Sequence, residues 1–135
     1  MSPEERENAR SCVLDASALL ALLHGEPGSD IVEELLGMSA ISSVNWSEVT
    51  QKALERGTAV EGLREDLESL GLEIVPFTAE LAESTAHLRL STRSAGLSLG
   101  DRACLALARD LRCPAITVDR IWKELSIGVD IRVVR

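Results

Sequence analysis

Apolar positions along the chain fall in short blocks separated by polar turns, and their spacing switches between strand-like and helix-like periods. Cys12-Val13-Leu14 reads as a buried strand that runs straight into Asp15. A helix-forming apolar run over residues 17–23 follows at once, ended by His24-Gly25, with Pro27-Gly28 closing the turn. Ser29 is placed to cap a second helix through Leu36, stopped by Gly37, and residues 40–42 form a short strand. A longer helix is predicted from Asn45 to Arg56, stopped by Gly57. The next, over 59–70, carries Val60, Leu63, Leu67 and Leu70 at three-and-four spacing, which makes one apolar stripe.

Gly71 ends that helix, and residues 73–75 read as a strand broken by Pro76. Thr78 caps a helix to Thr92, and a polar hinge (Ser94-Ala95-Gly96) follows. Ser98-Leu99-Gly100-Asp101 opens a helix to Leu111, with Gly100, Cys104, Leu107, Ala108 and Leu111 on one side. The small residues of that face allow close approach to a sheet. Pro114 precedes a strand over 115–118 that ends at Asp119; a short helix then holds Ile121, Trp122 and Leu125, and 131–134 is the last strand. Trp122 is expected to pack as an anchor.

Strands alternating with helices imply right-handed crossovers. The expected architecture is a single α/β domain over residues 12–135, with a mostly parallel five-stranded sheet and helices on both faces. Residues 1–11 read as a polar, mobile tail.

Composition narrows this further. A chain of 135 residues is one domain's worth, and at 45% apolar but 2% aromatic its core must be aliphatic. Three cysteines at no metal-ligand spacing suggest neither a disulfide framework nor a zinc site. The acidic N-terminus and the lack of a long apolar run argue against a signal peptide or membrane span, so a cytoplasmic location is expected. Net charge is −8, with residues 1–70 at −9 and residues 71–135 at +1. Such a chain has no basic field to gather nucleic acid; a polyanion would have to be met by the second half together with bound cations.

The candidate chemistry lies in four acids. Asp15 and Asp119 each follow an apolar strand and precede a helix, so both lie at the carboxyl ends of strands, where open α/β sheets place ligands. Each also suits a helix cap. Asp101 completes a capping box with Ser98, and Asn45-x-x-Glu48 reads equally as a cap and a first-turn acid. Taken singly, Asp101 and Glu48 are structural. As a set, all four sit at or near helix starts, where a carboxylate is tolerated without a lysine nearby. Four acids in one cleft would repel unless a cation neutralised them. Hard divalent ions take such oxygen ligands, and can activate water and stabilise an in-line phosphoryl displacement.

Four segments carry a resemblance: Leu14-Asp15-Ala16-Ser17-Ala18-Leu19, Ser43-Val44-Asn45-Trp46-Ser47-Glu48-Val49, Leu97-Ser98-Leu99-Gly100-Asp101-Arg102-Ala103 and Thr117-Val118-Asp119-Arg120-Ile121-Trp122. In this order and at these separations, the chain resembles the PIN-domain ribonucleases, and among them the VapC-type toxins of bacterial toxin–antitoxin pairs. The resemblance implies that Asp15, Glu48, Asp101 and Asp119 form an acidic metal site, with Asp15 and Asp101 the most direct Mg²⁺ ligands and Mn²⁺ able to substitute. Ser17, Asn45 and Thr117 match polar positions around it. It further implies an endoribonuclease acting on tRNA or rRNA, a homodimer and a small cognate antitoxin. A PIN domain that binds RNA or a partner without cleaving is the alternative.

Other residues offer less. A phosphatase that attacks through an Asp like Asp15 needs a second Asp two residues on, where this chain has Ser17. A phospho-acceptor domain would want adjacent early acids and a late lysine, which are missing at the matching sites. His24 and His87 lack partners at triad or metal spacing. Arg89, Arg93, Arg102 and Arg120 are available for RNA phosphates, though solvated or ion-paired roles are the default.

Overall fold

The computed structural model describes residues 10–135. Five strands form its sheet: β1 (Cys12–Leu14), β2 (Ser39–Ser42), β3 (Glu73–Val75), β4 (Ala115–Thr117) and β5 (Ile131–Val133). Their order is β3-β2-β1-β4-β5, and every pairing is parallel. The sheet expected to be mostly parallel is parallel throughout. The helices are α1 (Ala16–His24), α2 (Ser29–Leu35), α3 (Ser43–Glu55), α4 (Leu63–Ser69), α5 (Ala79–Thr92) and α6 (Leu99–Leu111), with 3-10 turns at Leu36–Met38, Arg93–Ala95 and Arg120–Glu124.

The strand period of two divides the core between the faces. Leu14, Ile41 and Ile116 point to the side packed by Leu19 of α1, Val32 of α2, Val49 of α3 and Leu67 of α4. Val13, Ala40 and Ala115 point to the other side, against Leu88 of α5, Leu105 of α6 and Trp122. Trp122 is fully buried, as an anchor should be. Helices therefore cover both faces, as the alternation of elements requires.

Several local expectations are corrected. The helix predicted over 59–70 begins only at Leu63, because Gly62 before it sits in the left-handed region (φ 76°), which a continuing helix excludes. Of its proposed stripe only Leu67 is fully buried, and Leu70 is 62% exposed. Gly28, not Ser29, holds the cap position of α2. Likewise α3 starts at Ser43, since the Ser42 hydroxyl accepts from the Val44 amide and so caps the helix. Asn45 is inside the helix and free for another task. The short helix after Asp119 is a 3-10 turn.

Of the tail proposed for residues 1–11, residues 1–9 lie outside the described residues. Arg10 and Ser11 are already engaged. Arg10 Nη1 donates to the Gly71 carbonyl (2.7 Å), its Nε pairs with Glu73 (3.2 Å), and the Ser11 amide donates to the Met38 carbonyl (2.9 Å).

The topology sets where chemistry belongs. The chain runs from β1 outward through β2 and β3, then crosses to β4 on the opposite side of β1. The strand order reverses between β1 and β4, and the crevice beyond the carboxyl ends of those strands is where such sheets bind ligands. Asp15 and Asp119 stand there.

Candidate active site at the carboxyl edge of the sheet

Asp15 leaves β1 and caps α1, its Oδ1 accepting from the Ala18 amide at 2.8 Å. It is also 5% exposed, and three side-chain hydrogen bonds reach it: the Ser17 hydroxyl lies 2.8 and 2.9 Å from its two oxygens, and Thr117 Oγ1 donates to Oδ2 at 2.6 Å. Thr117 is the last residue of β4, the strand beside β1, so neighbouring strand ends deliver the pair. Burial pushes the Asp15 carboxyl up from its ordinary 3.8 to about 6. The hydrogen bonds from Thr117, Ala18 and Ser17 pull against that rise, and the charge of Asp101 adds to it. Asp15 is thus both a cap and a strained anionic site.

Asp119 is tied to Asp15 through the same threonine. Its amide donates to Thr117 Oγ1 (3.0 Å), while its Oδ1 accepts from the Ile121 amide (3.0 Å) and caps the 3-10 turn. Ser17 adds a second link between the strand ends by accepting from the Val118 amide at 3.2 Å.

Glu48 comes from α3 and meets the first turn of α6. The buried Asn45, one turn earlier, donates from Nδ2 both to Glu48 Oε1 and to the Gly100 carbonyl, each at 2.9 Å. The Glu48 carboxylate lies directly over Gly100, so that a Cβ there would overlap all three carboxyl atoms. Next along α6, Asp101 closes the capping box: its Oδ2 accepts from the Ser98 amide (3.0 Å) and its own amide donates to Ser98 Oγ (3.1 Å). The Cys104 thiol lies one turn further on and is fully buried. Its pKa is driven well up by burial first, and then by the charges of Asp15, Asp101 and Glu48, which all lie within electrostatic reach of it.

A model of the PIN domain matches residues 12–128. The chain belongs to the PIN-domain family. No curated protein matches it. Among solved structures, it resembles a toxin–antitoxin complex from Klebsiella pneumoniae at 24% identity and TM-score 0.69, covering 90% of this chain and 100% of that one. A Mycobacterium tuberculosis VapC described as a sarcin–ricin loop cleaving toxin gives 17% identity and TM-score 0.69, covering 89% and 99%. A DNA-bound VapBC from Salmonella typhimurium gives 17% identity and TM-score 0.68, covering 91% and 97%. These likenesses establish the PIN fold over nearly the whole chain.

Within that fold, Asp15 and Asp119 stand at the carboxyl edge of the sheet, while Glu48 and Asp101 come from α3 and the first turn of α6. Among the described residues, the ion pairs join Arg10–Glu73, Arg56–Glu26, Arg64–Glu65 and Arg132–Asp130, and none involves Asp15, Glu48, Asp101 or Asp119. Among the described residues, no group of three or more His, Cys, Asp or Glu side chains is placed to hold an ion. The buried Asn45 Oδ1 has no partner. Ser17 and Thr117 hydrogen-bond to Asp15, and Asn45 to Glu48.

The remaining candidates disperse. Arg102 turns away from the acids, donating from Nη1 to the Thr85 carbonyl (2.9 Å) and fastening α6 to α5. Arg89, Arg93, Arg120 and His87 are exposed. His24 Nδ1 lies 2.8 Å from Arg56 Nη1, a contact that involves none of the four acids. One feature escaped sequence reasoning, the contact of Glu48 with Gly100. The signal was present in the small residues of the α6 face, read only as room for the sheet.

Proposed function

We propose that this PIN domain is a Mg²⁺-dependent endoribonuclease, with Mn²⁺ able to substitute, acting as the toxin of a toxin–antitoxin pair on tRNA or rRNA. The observation that carries the reading is Asp15: a carboxyl nearly sealed from water, lifted to about 6, close to further acids and without a cationic side chain to pair with. A folded chain keeps such a repulsive arrangement when a cation completes it. The donor set fits that cation, being all oxygen, and oxygen ligands suit a hard divalent ion.

Asp15 and Asp101 are the most direct ligands in this reading, with Glu48 and Asp119 completing the acidic group. Ser17 and Thr117 hold the Asp15 carboxylate in one orientation, and Asn45 does the same for Glu48. When bound, a divalent ion supplies the charge that lets water displace the leaving oxygen at a phosphodiester. No side chain need act as a nucleophile, and the products expected are a 5′-phosphate and a 3′-hydroxyl.

Structural relatives seen in toxin–antitoxin complexes support a small antitoxin as partner, and a homodimer is part of the same proposal. No helix among the described residues is long and apolar enough to cross a membrane, and with three free cysteines the cytoplasm is the proposed location. One observation favours a non-cleaving, RNA- or partner-binding domain instead, namely that among the described residues no ready-made set of three ion ligands is present.

A cleavage assay separates the two. The antitoxin-free chain, incubated with total tRNA and rRNA in Mg²⁺ or Mn²⁺, should yield discrete 5′-phosphorylated fragments, lost with EDTA and in Asp101→Asn. Intact RNA, with folded and metal-loaded protein, would favour the binding domain.

A further inference from the structure

At the opposite edge of the sheet from the acids, a cleft of about 450 Å³ opens between the end of α6, the start of β4 and the loop entering β5. Three arginines line it, Arg109, Arg112 and Arg132, with Asp130 as the sole acid. That acid is taken up by Arg132 (Nη2–Oδ2 3.1 Å). Among the described residues, Arg109 and Arg112 have no ion-pair partner. In a chain of net charge −8, a cleft with a surplus of guanidinium groups is out of character. Pro114 and Val129 give it apolar wall as well.

The backbone at Arg112 supplies a second, independent observation. Arg112 ends α6 in the left-handed conformation (φ 55°, ψ 45°), which favours glycine. Everywhere else among the described residues where φ is positive the chain uses glycine, at seven positions. Arg112 is the one exception, an arginine standing where the backbone favours glycine. Attraction to the carbonyl end of α6 accounts for an arginine in the last turn, where Arg109 already stands, but not for one at the glycine position.

We infer that this cleft is a binding site for a phosphate ester of about nucleotide size, with Arg109 and Arg112 on the phosphate and the Pro114–Val129 wall against the ring. Guanidinium groups pair with phosphate through parallel N–H donors, and a cavity of this volume is in the range that holds small ligands. The site is separate from the acidic edge and does not depend on its reading as a nuclease.

The test is calorimetric titration of the full chain with inorganic phosphate and with adenosine 5′-monophosphate, in EDTA so that no divalent ion draws phosphate to the acids. The nucleotide should bind, and more tightly than phosphate alone. Arg112→Gly keeps the left-handed turn, so its melting temperature should hold or rise while its nucleotide affinity falls about tenfold, one charge-assisted contact being lost. Arg109→Gln should weaken binding comparably. Absence of binding at millimolar nucleotide, or equal affinity in Arg112→Gly, would overturn the assignment. So would Arg112→Gly losing affinity for RNA alone, which would make the cleft part of a polynucleotide path.

Discussion

At the scale of single residues, Asp15 carries the largest consequences. Its rise from 3.8 to about 6 means that keeping it ionised in the metal-free fold costs roughly 3 kcal/mol. Below about pH 4 the carboxyl is protonated whether the chain is folded or not, and the cost is absent. Between about pH 4 and 6 the unfolded chain gives up this proton while the fold keeps it, so the metal-free protein loses stability across that window and levels off above it. Asp15→Asn, in EDTA, should therefore melt higher than the parent at pH 8, with the gap closing towards pH 4; an equal gap at both values would remove the ionisation argument. Thr117→Val tests the hydrogen bond that opposes this rise. Losing it should lift the Asp15 pKa further, so that Mn²⁺ binding begins at higher pH in the variant, and an unchanged onset would mean that Thr117 does not tune the acid. Local sequence made Asp15 visible, an acid directly after a strand, whereas Thr117 and the role of Ser17 beside it were marked only by the family resemblance.

At the scale of elements, α3 and α6 meet through one glycine. Gly100→Ala should favour the helix by up to about 1 kcal/mol, yet the new methyl would displace the Glu48 carboxylate. The expected result is lower cleavage with the fold retained. In a Glu48→Ala background the same substitution should become stabilising, and a double-mutant cycle on melting free energies measures the coupling. No coupling would mean that the two helices tolerate the methyl by sliding. This contact joins positions 52 apart in sequence, which is why it was not legible, whereas the caps at Thr78 and Ser98 were. The start of α3 was misplaced for a different reason. Ser42, Ser43 and Asn45 can all cap, and only the strand register of β2 decides for Ser42. Gly62 likewise broke a stripe whose spacing alone was helical, since periodicity does not report backbone sign.

At the scale of the molecule, two cores on either face of a thin parallel sheet hold the acid edge in place. Trp122 fills the core behind the acids and follows Asp119 by one turn, so Trp122→Ala should destabilise by about 3–5 kcal/mol and loosen that edge. Chemical denaturation checks it, and a loss under 1 kcal/mol would show that the anchor is dispensable. The fold class was readable because alternating strands and helices leave few topologies, and the full parallel order added only the last pairing. That topology brings Asp15 and Asp119 to one edge: β1 and β4 are neighbours although about a hundred residues apart in the chain.

The most direct test of this account is a calorimetric Mn²⁺ titration of the metal-free chain beside Asp15→Asn, Glu48→Gln, Asp101→Asn and Asp119→Asn at pH 7.5. The account predicts saturable binding that weakens most in the Asp15 and Asp101 variants and less in the other two. Undiminished binding in Asp15→Asn, or none in the parent, would contradict the claim that the four carboxylates form one cation site.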